Sequence, residues 1–503
     1  MASTPRAKGG NAKSSPSGAK VNESSSVSSS TSYSTSGPLE FTTTKVITTT
    51  TTTVTNTSAS SNAGKAPKLN LAVYRYSAWL EENQLKKTAP WIAVAVALLI
   101  RWVVSLGPYS GMGTPPRYGD YEAQRHWMEL TLHRPAVEWY SDESKWWDLD
   151  YPPLTAYISW LCGYIGHQIN PDWFEWETSR GYESPEAKLY MRSTVLVLEF
   201  LVYFTSIIAF TNIWFANKSW TRKHTALVLI LLQPGLILID DGHFQYNAVM
   251  LGLVVWSVNC FLVDRDVIGS VFFCCALMFK QMALYFAPAV FAYLFGKCFR
   301  QGFFGFFWKL FKLGATVILM TGVMFDPWLE EDAVMFIQAL NRIFPLFRGL
   351  YQDKVANVWC AVNIVVKLRD LFEIDDLVIL STAATLVAFL PSVLHQIAKP
   401  TKRGLIYGLV NSSLSFFLFS FQVHEKSILV PALPITLLIL DEPAEASLFV
   451  TLATFTMYPL LGREGLGLQY SVLLGVWIWM TWGTLKNASR TVGLLALVCS
   501  MIP

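Results

Sequence analysis

Apolar runs of membrane-spanning or near-spanning length recur from residue 89 to residue 503. They fall at 89–106 and then at about 191–215, 225–239, 247–263, 267–279, 283–297 and 306–325. A second series lies near 377–394, 405–421, 427–441, 444–461, 469–483 and 491–503. Several are shorter than the roughly 20 residues a perpendicular helix needs, so an all-α polytopic membrane protein with about 12–15 transmembrane helices is expected. Charge agrees: 15% of residues are charged and 52% hydrophobic, whereas a soluble chain carries about 25% charge. Mean hydropathy is +0.36 even though the opening sixty-odd residues are almost wholly polar. A single soluble domain, a disordered protein and a disulfide-rich secreted module are excluded. The net charge of +3 is too mild to argue for nucleic acid. The seven cysteines are scattered without CxxC spacing, which favours packing between helices over a metal or redox site.

Residues 1–64 are dominated by Ser and Thr and can bury almost nothing, so a disordered cytosolic tail is expected. A membrane domain should occupy 65–503. Lys65, Lys68, Arg75, Lys86 and Lys87 precede the first span and set the N-terminus in the cytosol. Lys218-Arg222-Lys223, Lys297-Arg300-Lys309 and Lys399-Lys402-Arg403 should then also be cytosolic. Four polar stretches are left for the lumenal side: 107–190, the turn from Asp240 to Asn247, 326–357, and His424-Glu425-Lys426. Within the first, Pro152-Pro153 suits a helix start, and the apolar stretch 154–166 leaves a shallow helix and a true crossing both open. The sequons at Asn217, Asn411 and Asn487 fall on the cytosolic side or inside a span, so none should carry a glycan.

The densest polar string, Tyr118 to Glu129, begins about a dozen residues past the first span. Glu122, Arg125, His126 and Glu129 share one side of a helix, with Asp120 near its start. A carboxylate there can take a proton from a sugar hydroxyl, and Arg125 or His126 can orient a polar substrate. The competing reading is an interfacial helix whose charges are merely solvated. Asp240-Asp241-Gly242-His243-Phe244-Gln245-Tyr246-Asn247 puts two acids, a histidine and two amides between apolar runs, a costly arrangement near a bilayer. Its bland alternative is a capped, hydrogen-bonded turn. Lys280, His424 and Lys426 sit at span ends and can hold a phosphate, although snorkelling explains Lys280 equally well. Arg101, inside the first span, is either paired or bound to phosphate. No Walker A motif, GxGxxG or HExxH is present, and the Asp-x-Asp pairs are confined to Asp148-Asp150 and Asp264-Asp266. A donor embedded in the bilayer is therefore expected, and no cofactor is called for.

Gly119 to Glu129, Tyr151-Pro152-Pro153-Leu154-Thr155-Ala156-Tyr157, Gly242 to Asn247, and Arg348-Gly349-Leu350 with Asp353 to Asn357 closely resemble one family. It is the endoplasmic-reticulum dolichyl pyrophosphate Man9GlcNAc2 alpha-1,3-glucosyltransferases, and the likeness runs from about residue 91 into the C-terminal spans. The resemblance implies a GT-C glycosyltransferase fold with lumenal interfacial helices, in a multi-pass membrane protein whose active site is lumenal. It implies dolichyl phosphate glucose as donor and the dolichyl-pyrophosphate-linked oligosaccharide as acceptor, with inversion and without a metal. The family's catalytic base carries over onto Asp120, and its donor-phosphate contacts onto His424, Glu425 and Lys426. Glu122, Arg125, His243, Gln245, Tyr246 and Lys280 are expected to bind substrate; the membrane lipid is the only other partner expected. The competing readings are the sibling enzyme that adds the second glucose, which shares the His-Phe-Gln-Tyr-Asn turn, and a lipid-linked-sugar transporter. A transporter would want charges deep in facing spans and internal pseudo-symmetry, and no clear repeat is present.

Overall fold

A computed structural model describes residues 71–141, 146–331, 333–344 and 355–499, with side chains through 484. Helices account for every regular element among them. The Ser/Thr-rich segment and the Arg348-Gly349-Leu350 and Asp353-Lys354 strings lie outside the described residues.

A short amphipathic helix α1 (Ala72–Glu82) precedes α2 (Ala89–Ser105), the first apolar helix, which has Pro90 in its first turn, where the missing N–H costs nothing. The polar string is α3 (Asp120–His133), with Asp120 and Glu122 in the first turn, where the helix dipole favours acids. It packs along α4 (Pro153–Ile169), which begins at the expected Pro152-Pro153. The close approach depends on Gly163, because a Cβ there would sit 2.8 Å from the carbonyl oxygen of Met128. Then follow α5 (Pro185–Trp214), α6 (Trp220–Phe244), α7 (Asn247–Leu262), α8 (Asp266–Phe279), α9 (Gln281–Phe299) and α10 (Gly302–Glu331). The chain continues through α11 (Ala333–Ile343), α12 (Val358–Val365), α13 (Ile374–Ala398), α14 (Lys402–Phe419), α15 (Leu429–Leu437), α16 (Pro443–Arg463) and α17 (Gly467–Cys499).

Six of these, α5, α6, α9, α10, α13 and α16, are long and apolar enough to cross a membrane, and α2, α7, α8 and α11 are shorter apolar helices. The most buried of the six is α6, whose apolar middle, residues 226–232, is enclosed by other helices. On α10 the pattern reverses: Phe303, Phe304, Ile318 and Leu319 are exposed, an apolar surface that only lipid would cover favourably.

Two expectations need correction. The stretch 326–357 is not one hydrophilic loop. Residues 326–331 and 333–343 belong to α10 and α11, because Phe325, Trp328, Ala339 and Ile343 bury against Trp139 and Tyr140 of the first polar region. The segments 469–483 and 491–503 are not separate runs, since residues 467–499 form one helix; no proline interrupts it, and the polar residues between continue the helix.

Two of the three expected basic patches converge. Lys297 at the end of α9 bonds Asp264 (2.9 Å) and Asp266 (2.7 Å); Lys309 at the start of α10 bonds Asp266 (2.6 Å), and Lys402 at the start of α14 bonds Asp264 (2.7 Å). Asn247, Lys280 and Phe416 mark the opposite ends of α7, α8 and α14, so polar chemistry gathers at the far end of the same helices.

Candidate active site

At that far end lies a cavity of about 800 Å³. Asp120, Gln124 and Trp127 of α3 line it, with Trp146, Trp147, Asp148, Asp150, Tyr151, Gln245, Lys280, Tyr285, Arg342, Phe416, His424 and Lys426. One wall is aromatic and polar; Leu284, Tyr285 and Phe416 give another an apolar face.

The loop before α3 turns sharply at Gly111, where φ is +78° and a Cβ would collide with the backbone of Gly119. That turn brings Ser110 under the first turn of α3, where its Oγ accepts from the Asp120 N–H at 3.2 Å. The Ser110 N–H in turn donates to the His243 carbonyl at 2.9 Å, tying α3 to the end of α6. There α6 widens over Leu238–Phe244, and Phe244 takes φ +89°, a strained value for an aromatic residue of the kind that clusters at functional sites. The expected turn is thus mostly helix, broken only at Gln245 and Tyr246. Asp240 and Asp241 are buried within it. Asp240 accepts from Asn247 Nδ2 (2.8 Å) and the Ala248 N–H (2.6 Å), so it caps the start of α7. Asp241 lies 3.7 Å from Arg101, which pairs with Glu199 at 2.8 Å, so Arg101 is the paired cation that sequence left open.

The break turns His243 and Gln245 towards Asp120. His243 Nε2 lies 3.0 Å from Asp120 Oδ2, and Gln245 Nε2 and Lys426 Nζ donate to the same oxygen. One carboxylate oxygen is thereby held by three donors, while Oδ1 has no described partner and Asp120 lines the cavity. Burial opposes ionisation of Asp120, but the Lys426 ammonium and His243 more than offset it and hold the carboxyl well below the usual range. Lys426 behaves reciprocally: burial disfavours its charge, and Asp120 restores it, raising its pKa. Lys280, buried between α8 and α9, donates to Asn247 Oδ1 (2.7 Å) and Gln245 Oε1 (3.2 Å) and lies over the Tyr151 ring at 4.6 Å.

The expected site residues therefore divide. Asp120, Gln245, Lys280, His424 and Lys426 meet at the cavity, with His243 directly behind Asp120. Glu425 is buried and pairs with Arg463 at 3.6 Å. Tyr246 turns away and bonds Thr194 at 2.7 Å. Glu122 and Arg125 lie on the side of α3 turned from the cavity, fully buried rather than solvated. Arg125 bonds Glu122 (2.7 Å), Glu129 (2.6 Å) and Ser179 (2.6 Å), and Glu122 accepts from Trp146 at 2.9 Å, so this pair braces α3 and one cavity wall. Helical spacing put Glu122 and Arg125 on one face of α3, but spacing alone does not say that the segment near Ser179 covers that face. Among the described residues no three His, Cys, Asp or Glu side chains gather as a metal site.

Against known proteins, the profile of the ALG6, ALG8 glycosyltransferase family matches residues 97–500. The chain belongs to this family. Curated relatives in the family include a Schizosaccharomyces pombe protein, 46% identical over 390 residues, covering 76% of this chain and 77% of the relative. A Gallus gallus protein is 47% identical over 386 residues, covering 76% of each chain, and a Saccharomyces cerevisiae protein is 45% identical over 401 residues, covering 77% of this chain and 73% of its own. The last two are named dolichyl pyrophosphate Man9GlcNAc2 alpha-1,3-glucosyltransferase, and the first carries that name as probable. For a glycosyltransferase of this family, the residues around the cavity are the place to look for sugar chemistry.

One residue that sequence reasoning passed over stands directly behind His243. Glu464, at the break between α16 and α17, contacts His243 Nδ1 at 2.6 Å. The signal was present in Gly462-Arg463-Glu464-Gly465, a charged pair flanked by glycines between two apolar runs.

Proposed function

We propose that this chain transfers one glucose from dolichyl phosphate glucose to the dolichyl-pyrophosphate-linked Man9GlcNAc2 oligosaccharide, forming an alpha-1,3 linkage with inversion at the anomeric carbon. It is a multi-pass membrane protein of the endoplasmic reticulum, and on this reading the cavity faces the lumen. The observation that carries the reading is Asp120: one oxygen is fixed by three donors, and the residue lines a cavity of about 800 Å³.

The chemistry is a single displacement. The acceptor hydroxyl oxygen bonds to the glucose anomeric carbon while the bond from that carbon to the phosphate oxygen breaks. The hydroxyl proton passes to Asp120 Oδ1, and the bonding pair leaves on dolichyl phosphate. An ammonium has three N–H donors, so Lys426 can hold Asp120 and still face a phosphate oxygen. Charge growing on the leaving phosphate is met by Lys426, with His424 at the same rim, which is how pre-aligned donors lower such a barrier. No step needs a metal. Lys280 fixes Gln245, and Gln245 with His243 fixes the carboxylate.

Purified protein supplied with both lipid-linked substrates should add one hexose to the acceptor, and Asp120→Asn should lower kcat by about 10²–10⁴-fold, the span of general-base catalysis. Near-normal turnover by that variant would remove Asp120 as the base. Transfer only to an acceptor that already bears one glucose would instead assign the chain the second-glucose reaction.

A further inference from the structure

We infer that Glu464 is a positioning residue for this transfer, acting on Asp120 through His243; the inference rests on the reading of Asp120 as the base. His243 is buried between two carboxylates, and Lys426 Nζ lies 3.1 Å from its Nε2. Its Nδ1 lies 2.6 and 2.8 Å from the two oxygens of Glu464, and its Nε2 lies 3.0 Å from Asp120 Oδ2. The ring is about 2% exposed, so no solvent shell competes for either nitrogen. A ring nitrogen facing a carboxylate is stable only if it carries the hydrogen, because two lone pairs at these distances repel. Glu464 therefore fixes the imidazole plane and keeps the Nδ1 hydrogen in place. With a carboxylate at each nitrogen the ring carries both hydrogens, as an imidazolium, and its Nε2 hydrogen is directed at Asp120 Oδ2, the oxygen that Lys426 also holds. An acid that orients a histidine, which then serves the reacting group, is the logic of a catalytic triad with a carboxylate at each end.

The fold explains why this acid comes from so far along the chain. The Gly465 turn (φ +75°) breaks α16 from α17 and leaves Glu464 against the end of α6. The neighbouring Arg463 reaches Glu425 at 3.6 Å, so the same break braces the Lys426 segment. Glu464 does not line the cavity, so any effect on transfer must pass through His243.

The test is steady-state transfer by the purified full chain carrying Glu464→Ala, Glu464→Gln or Asp120→Asn, each checked for melting temperature. Glu464→Ala should lower kcat by about 10- to 100-fold, the range for outer partners of a functional imidazole, with both KM values within about twofold of wild type. Glu464→Gln should recover most of that loss, because its amide oxygen still accepts from Nδ1. In an Asp120→Asn background, Glu464→Ala should add nothing further. The inference is overturned if Glu464→Ala keeps wild-type kcat. It is equally overturned if both KM values rise as the melting temperature falls, or if Gln rescues no better than Ala. Near-normal turnover by Asp120→Asn alone would instead overturn the base assignment, whatever Glu464 does.

Discussion

Lys426 is bonded to Asp120 across 306 positions of sequence, and the oxygen it holds is the one that His243 also holds. The contact restrains the proposed base and weakens it at once, since a cation beside a carboxylate favours the ionised form.

That compromise predicts a pH signature. With Lys426 present, Asp120 stays ionised well below the usual carboxylate range. Lys426→Met removes a cation that favours the charged form, so the Asp120 pKa rises and the acid limb of kcat/KM moves to higher pH. Overall rate should also fall, on the order of 10²-fold, because a donor to the leaving phosphate is lost. Transfer rates measured from pH 4.5 to 7.5 check this; an acid limb at the same pH in both proteins would contradict it.

The brace beneath α3 predicts a stability effect. Burial works against ionisation of Glu129, and His126 and Arg125 reverse that, bringing its pKa down to about 2. Because the folded value lies below the unfolded one, the stabilisation is complete above about pH 4.5 and fades only as pH falls towards 2. Its size at neutral pH is on the order of 3 kcal/mol. Glu129→Gln should therefore lower the melting temperature in detergent by several degrees, and wild-type stability should not fall between pH 8 and 5 on account of this group. An unchanged melting point would show that Glu122 and Ser179 suffice for Arg125.

Arg192 should behave differently from Glu464. Its Nη2 donates to the Gly242 carbonyl at 2.7 Å and the Pro108 carbonyl at 3.0 Å, clasping the end of α6 to the loop that carries Ser110. Arg192→Met leaves two buried carbonyls without that donor, a loss of about 1–3 kcal/mol each. Melting temperature and kcat should fall together, and wild-type stability with reduced kcat would argue against a clasp.

Orientation is open to a simple check. On the proposed orientation, with the flanking basic residues on the cytosolic side, Asn217-Lys218-Ser219 should remain unglycosylated. Asn411 should also stay bare, since it lies within α14 with Ser412 and Ser413 buried beside it. An endoglycosidase-sensitive mobility shift, lost on Asn217→Gln, would invert the topology.

What could be read from the chain alone was whatever depends on local composition. Apolar runs too long and too frequent for a soluble core marked a membrane protein, and basic flanks separated two sets of loops that the fold gathers at opposite helix ends. Scarce charges near a bilayer singled out Asp120, His243, Gln245, Lys280 and Lys426, because burying such groups is costly without a purpose. Which of them touch was decided only by tertiary structure. Helical periodicity set Asp120 on a different side of α3 from Glu122 and Arg125, but it could not say which side opens to the cavity, because the covering residues near Ser179 arrive from some 50 positions later. Nor could it pair His243 with Glu464, 221 positions apart. Hydrogen bonds reach about 3 Å in space whatever the separation in sequence. Composition could name the groups available for chemistry, but only the packing of α3, α6 and the α16–α17 break set their order around one carboxylate.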